Sequence, residues 1–238
     1  NSNHSASKLY VIDFDTGNLI KALKLKRSND TNNTNHVGGI TTDDDKVWIS
    51  SDFELCEYSL DTIMETKEQE MRSLKDYKLA NRGDFCYYHD NILWIGDFHL
   101  KILYELPEKK PLLMGYEQIE EVNYSNPDFV VAIPDMVQGI AITEDNKFAF
   151  SRSYSGLIQS EIAIYDDLLR EKAGEYSLNG ENVAYYASYK EKLLEKKKIP
   201  PMAEGIMIKD KKLYVLFESG SKKYKTAFNQ IEKNFNQY

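Results

Sequence analysis

An all-β fold, a β-propeller of about five or alternatively four four-stranded blades, is what this 238-residue sequence predicts. Three observations point to it. One two-strand pattern recurs four times along the chain. The turns within that pattern are built from Asp, Asn and Lys, and helical periodicity is nearly absent.

The four recurrences share an order: a small or polar opening, an apolar strand, an acidic or amide turn, then a second apolar strand. They are Val37 to Ser50, turning at Asp43 to Lys46; Gly83 to Gly96, turning at His89 to Asn91; Val137 to Ser151, turning at Thr143 to Lys147; and Ala203 to Leu216, turning at Lys209 to Lys212. Each pair reads as a tight hairpin, since Asp and Asn tolerate turn conformations that branched residues resist. Third strands follow at Glu54 to Leu60, Lys101 to Leu106 and Glu161 to Tyr165, each alternating apolar with polar. Weaker fourth strands are expected at Leu74 to Leu79, Leu112 to Tyr116 and Glu175 to Leu178. The whole chain, 1–238, then forms one propeller domain, with blades at about 36–80, 83–120, 134–180 and 202–238.

The ends set the blade count. Leu9 to Phe14 and Leu19 to Leu25, joined at Asp15 to Asn18, form an outer hairpin over 8–25 with no inner pair before it. This hairpin could complete the last blade and close a four-blade ring without exposed edges. Alternatively, residues before Asn1 held another inner pair and Phe228 to Phe235 adds to a final outer layer, which makes five blades and leaves the first incomplete. The best helical stretch is a connector over 185–198, ended by Pro200 and Pro201, with Glu191 and Glu195 four apart.

Composition narrows the function. A formal net charge of −8 offers no general attraction to phosphate backbones or anionic lipid, so nucleic acid is not the expected partner. No apolar run approaches the roughly 18 residues of a membrane span. The 17 tyrosines suit strands with one edge in water. Cys56 and Cys86 each sit inside a strand, where two buried free thiols is the plainer reading and a disulfide the other.

Propeller geometry brings residues just before the inner strands and just after the second strands to one mouth. The first set is His36, Asp84, Gln138 and Glu204; the second is Ser51, Asp97, Arg152 and Glu218, with His99 and Tyr154 close behind. Gly39, Gly139 and Gly205 occupy one equivalent position, where a narrow channel would crowd a side chain. Three uses of the mouth are open. His36, Gln138, Arg152, Glu204 and Glu218 can bind a small polar ligand or a protein partner through charge-assisted hydrogen bonds. Asp97, Glu204 and Glu218 can hold Ca2+ or Mg2+, whose bound water would support a hydrolase or lyase. The charges can also merely neutralise one another in a wet channel.

Dinucleotide and nucleotide loops, the Gly-x-Ser-x-Gly elbow and zinc spacings are absent from the sequence. Sequons at Asn3, Asn29, Asn32 and Asn123 carry little weight in an Asn-rich chain.

Several runs resemble a family of secreted bacterial propeller-like proteins. They include Asn35-His36-Val37-Gly38-Gly39-Ile40, Leu93-Trp94-Ile95-Gly96, Val137-Gln138-Gly139-Ile140, Ser151-Arg152-Ser153-Tyr154, Ala203-Glu204-Gly205-Ile206 and Leu216-Phe217-Glu218-Ser219-Gly220. The likeness covers most of 8–225 in order. It implies a propeller that is secreted or at the cell surface, and an inner pair ahead of the 8–25 hairpin, which favours five blades. A broader resemblance to streptogramin-lyase-like and gluconolactonase-like propellers implies a metal-dependent enzyme as the alternative. No ligand set from those families maps onto this chain residue by residue.

Overall fold

The computed structural model describes residues 5–100, 111–118, 121–187 and 189–220. Strands β1 (Lys8–Ile12) and β2 (Leu19–Lys26) form the first hairpin. Its turn is held by Asp13, whose carboxylate accepts the Thr16 N–H at 2.8 Å and hydroxyl at 2.5 Å, while Gly17 takes φ +68°. Then come β3 (Val37–Thr42), β4 (Lys46–Ser51), β5 (Glu54–Ser59), helix α1 (Leu60–Glu65), β6 (Glu70–Arg72) and β7 (Lys75–Lys78). Strands β3, β4, β5 and β7 make an antiparallel four-stranded sheet, and β6 pairs in parallel with β2 instead.

The second recurrence gives β8 (Phe85–His89), β9 (Ile92–Gly96), β10 (Leu112–Glu117) and β11 (Phe129–Ala132), paired in that order. Strand β10 follows β9 directly in the sheet, so 112–116, expected as a fourth strand, is third and β11 is fourth. The strand expected at Lys101 to Leu106 lies outside the described residues. The third recurrence gives β12 (Val137–Ile142), β13 (Phe148–Arg152) and β14 (Ser160–Tyr165). After them come β15 (Gly174–Leu178), β16 (Glu181–Tyr186) and β17 (Leu193–Ile199), and the last pair is β18 (Ala203–Lys209) with β19 (Lys212–Phe217).

Two expectations fail here. The 185–198 connector is not a helix: its first residues end β16, and its lysine-rich half is β17, antiparallel to β14. Tyr185, Tyr189 and Leu193 do fall at helical spacing, but the lysine-rich residues 195–198 offer nothing apolar to bury, and spaced ion pairs add only about 0.2–0.5 kcal/mol each. As an edge strand, the segment buries Ile199 and leaves its lysines in water, where they also blunt the edge. In consequence β17, not 175–178, is the fourth strand of the third sheet. The β15–β16 hairpin extends the second sheet through a parallel pairing of β16 with β11.

The sheets stack in chain order, and the core lies between them. Leu23 and Leu25 of β2 pack with Val47, Ile49 and Cys56; Trp48 and Leu55 pack with Cys86, Leu93 and Ile95. Phe85, Trp94 and Leu113 meet Val137, Ile140 and Phe150, and Ala149 and Ile162 meet Ala203, Ile206 and Val215. Each fully buried large side chain contributes roughly 1.5–3 kcal/mol of apolar transfer. Both cysteines are free and buried, and burial raises both thiols, Cys86 to about 11, which leaves them protonated.

Inner strands succeed one another as β3, β8, β12 and β18. Glycine permits the approach. A Cβ on Gly39 would stand 2.4 Å from the Cys86 amide nitrogen, and one on Gly139 would stand 2.9 Å from the Glu204 carbonyl. Gly205 departs from the sequence expectation: a Cβ there meets nothing within 4 Å among the described residues. No described helix is long and apolar enough to cross a membrane.

Candidate functional site

Three of the four inner strands carry a β-bulge at the same end. The register shifts between Val37 and Gly39, between Val137 and Gly139, and between Ala203 and Ile206. Gln138 and Glu204 are therefore residues that the ladder skips. A bulge adds a residue and re-aims its side chain, so these two leave the regular alternation of the strand. Just ahead of the last two inner strands, Met136 and Met202 adopt φ of +66° and +64°. The Met136 carbonyl accepts the Ser153 N–H and the Met202 carbonyl accepts the Glu218 N–H, both at 2.9 Å, and the Met136 N–H donates to the His99 carbonyl at 2.9 Å. A left-handed non-glycine residue costs on the order of 1 kcal/mol or more, so tertiary contacts hold these corners.

The corner at Met202 brings Glu204 and Glu218 together. Burial first, and then the Glu218 carboxylate, push the Glu204 carboxyl up to about 7. Both influences favour its neutral form. The Glu204 backbone carbonyl accepts a short hydrogen bond from the Ser151 hydroxyl, which locks the last inner strand to the third sheet.

A second polar group lines the seam between the second and third sheets. Arg152, at the end of β13, donates from Nε to the Asp135 carbonyl at 2.9 Å and pairs with Glu161 on the neighbouring strand. Lys196 of β17 reaches the same Glu161 oxygen at 3.5 Å. His99 Nδ1 lies 3.3 Å from Asp135 Oδ1. Asp97, just beyond β9, accepts the Leu112 N–H at 2.6 Å and the Asn81 amide at 3.2 Å. Burial outweighs these donors, and nearby Asp84 adds to it, so the Asp97 carboxyl rises to about 6. Asp84 itself is bonded to Arg82 and to the Phe98 N–H.

Of the residues expected at the mouth, Glu204 and Glu218 are thus neighbours, while Arg152, Asp97, Asp84 and His99 belong to the seam. His36 is exposed and Gln138 half-buried. Among the described residues, no three His, Cys, Asp or Glu side chains gather as a metal site would require. Sequence reasoning missed Asp135, Asn81, Arg82 and Glu161. Asp135 lies two residues upstream of the bulged strand, and Glu161 stands opposite Arg152 in the β13–β14 register. Both were within reach of a stricter strand alignment.

A recess of about 720 Å3 opens elsewhere, by the turn of the first inner pair. Trp48, Tyr77 and Tyr124 wall it, with Asp43 and Glu57 at its rim. Two of its aromatic groups are bonded within it: Trp48 Nε1 donates to Asp43 at 3.0 Å and the Tyr77 hydroxyl to Glu57 at 2.6 Å. Lys46 and Lys75 cover the Trp48 and Tyr77 rings, at 5.4 and 4.8 Å from their centroids.

Solved structures share this arrangement of sheets. The chain is similar to a glutaminyl cyclase from Myxococcus xanthus, with TM-score 0.51 and 10% identity over 87% of this chain and 76% of that one. The fold is a β-propeller. Lower similarities join the PQQ-bound aldose sugar dehydrogenase from Streptomyces coelicolor (TM-score 0.47, 13% identity, 90% of this chain and 69% of that one) and BamB from Moraxella catarrhalis (TM-score 0.35, 10% identity, 90% of this chain and 65% of that one). No protein-family model and no curated protein matches the chain. At 10% identity the likeness concerns the fold alone.

Proposed function

We propose that this propeller binds a small polar ligand at the corner formed by Glu204 and Glu218, with Gln138 on the adjoining bulge. The observation that carries the reading is the Glu204 carboxyl, held near 7 by burial and by a second carboxylate. Burial and the Glu218 charge both disfavour the ionised Glu204, and a ligand bearing an ammonium or several hydroxyl donors would relieve that cost. Arg152 serves this site by fixing the third sheet, since its own donors go to Asp135 and Glu161. A protein partner offering a lysine would satisfy the same chemistry. Export to the cell surface or medium belongs with this reading, because the resemblance of the sequence runs stands behind it.

The metal-assisted hydrolase or lyase is the weaker reading. Asp97 is occupied by Leu112 and Asn81, and its named neighbours are Asp84 and His99. A thermal-shift screen of amines, sugars, Ca2+ and Mg2+ at pH 6 and pH 8 separates the two. The binding reading expects an amine or polyol to raise the melting temperature of the wild type and to lose that effect in Glu204→Gln and Glu218→Gln. A hit that survives both substitutions would place the ligand elsewhere, and stoichiometric calcium or magnesium binding lost in Asp97→Asn would favour the enzyme.

A further inference from the structure

We propose that the recess beside the β3–β4 turn binds a small organic cation carrying two or more ammonium groups, held by carboxylates and by aromatic ring faces. This site is separate from the Glu204 corner and does not rest on it. The recess lies between the first and second sheets at the turn end of β3, whereas Glu204 stands near the start of β18. Its volume of about 720 Å3 falls within the roughly 300–1,000 Å3 of small-molecule sites.

Charge selects the ligand. Asp43, Asp44, Asp45, Glu57 and Glu121 line the recess against two cations, Lys46 and Lys75, an excess of three negative charges. These carboxylates are not equally committed. Asp43 holds the turn together: it accepts the Lys46 N–H at 2.7 Å, the Asp45 N–H at 3.2 Å and the Trp48 ring N–H at 3.0 Å. The Asp44, Asp45 and Glu121 carboxylates are exposed and make no ion pair among the described residues. Glu57 is the strongest pointer, because it is only 9% exposed. Its Oε2 accepts the Tyr77 hydroxyl at 2.6 Å, but its Oε1 has Lys46 Nζ at 3.7 Å, too far for a hydrogen bond. A buried carboxylate oxygen short of a donor is costly, and a bound ammonium would supply one.

The rings supply the rest. The Trp48, Tyr77 and Tyr124 centroids lie 4.6 to 6.2 Å apart, and Tyr88 borders the recess from the second sheet. The chain already seats its own ammonium groups here, Lys46 Nζ at 5.4 Å from the Trp48 centroid and Lys75 Nζ at 4.8 Å from that of Tyr77. Both fall within the about 6 Å reach of a cation–π attraction. The acidic turn acts across the recess as well: burial first, and then Asp43, Asp44 and Asp45, hold the Tyr88 hydroxyl above its ordinary range. A neutral sugar would use the rings and leave the excess charge unmet. A hydrated Mg2+ would meet the charge and leave the rings unused. An alkyl chain with spaced ammonium groups uses both, its methylenes against the rings and its charges on the carboxylates.

The test titrates the full chain with spermidine, read by calorimetry and by the fluorescence of Trp48. The other tryptophan, Trp94, belongs to a different cluster and gives a constant background. One-to-one saturable binding at about 10–100 μM is expected in low salt, weakening at least about tenfold by roughly 0.5 M salt. Asp44→Asn combined with Asp45→Asn should lower affinity at least about tenfold and leave the melting temperature unchanged, since neither side chain holds the fold. Glu57→Gln should lower it by a similar factor. Glu204→Gln should leave it as in the wild type, and Mg2+ at the same concentration should displace less than about a tenth of the spermidine. Absence of saturable binding up to about 5 mM overturns the proposal, as does binding that the paired Asp44 and Asp45 change leaves intact. Equal affinity for Mg2+ also overturns it, in favour of general counterion attraction, and loss of binding in Glu204→Gln would move the cation to the other corner.

Discussion

The seam between the second and third sheets and the corner at the last inner pair hold the same kinds of residue in opposite states. At the seam, Arg152, Glu161, Lys196, Asp135 and His99 are joined by named pairs, and Asp97 is held by two donors. At the corner, Glu204 faces another carboxylate, and the glycine beside it meets no described residue. A propeller completes its polar groups where two sheets meet. At the last described inner pair the Glu204–Glu218 repulsion remains, and that is a feature that a ligand can relieve.

The comparison can be broken most sharply at the glycines. Gly39→Val should cost about 3 kcal/mol or more, because the new Cβ strikes backbone that has no rotamer to change, whereas Gly205→Val should stay within about 0.5 kcal/mol. Chemical denaturation of both variants measures this, and similar losses would erase the contrast. Arg152→Ala should cost about 2 kcal/mol, since it strands the half-buried Glu161 carboxylate and the Asp135 carbonyl.

Protonation gives the finer tests. Glu204 is raised from 4.5 to about 7, so the folded chain holds more protons than the unfolded one across that interval. Stability from this group is therefore present below about pH 4.5 and is lost as pH rises to 7. Glu204→Gln should match the wild type at low pH and exceed it above pH 7 by about 1 kcal/mol, a figure already reduced for solvent screening. Asp97→Asn should show the same sign with its crossover near pH 6, and a smaller gain, because the Leu112 and Asn81 donors favour the charged form. Melting temperatures across pH 4 to 9 decide both; a gain at low pH would reverse the assignment. His36→Ala should leave stability within about 0.5 kcal/mol, as for an exposed side chain outside both groups.

Much of this was legible in the chain. The four inner pairs appear where apolar runs flank Asp, Asn and Lys turns, because alternation and turn chemistry are local properties. The places of Gln138, Glu204 and Glu218 at the ends of those strands follow from counting along the pairs. The segment after Tyr185 was not legible: its lysines and glutamates suit a helix and an edge strand alike, and only the open edge of β14 selects the strand. Asp135 and Asn81 carry no motif, and they matter because the sheets place them beside His99 and Asp97.

The sequence by itself determined the repeat, the turns that close each hairpin and the glycines that let inner strands approach. Only the tertiary structure decided which of those glycines is covered. Three equivalent residues, Gly39, Gly139 and Gly205, look alike in the chain, but whether a neighbouring strand stands against each depends on how sheets stack across long separations, which no local pattern encodes.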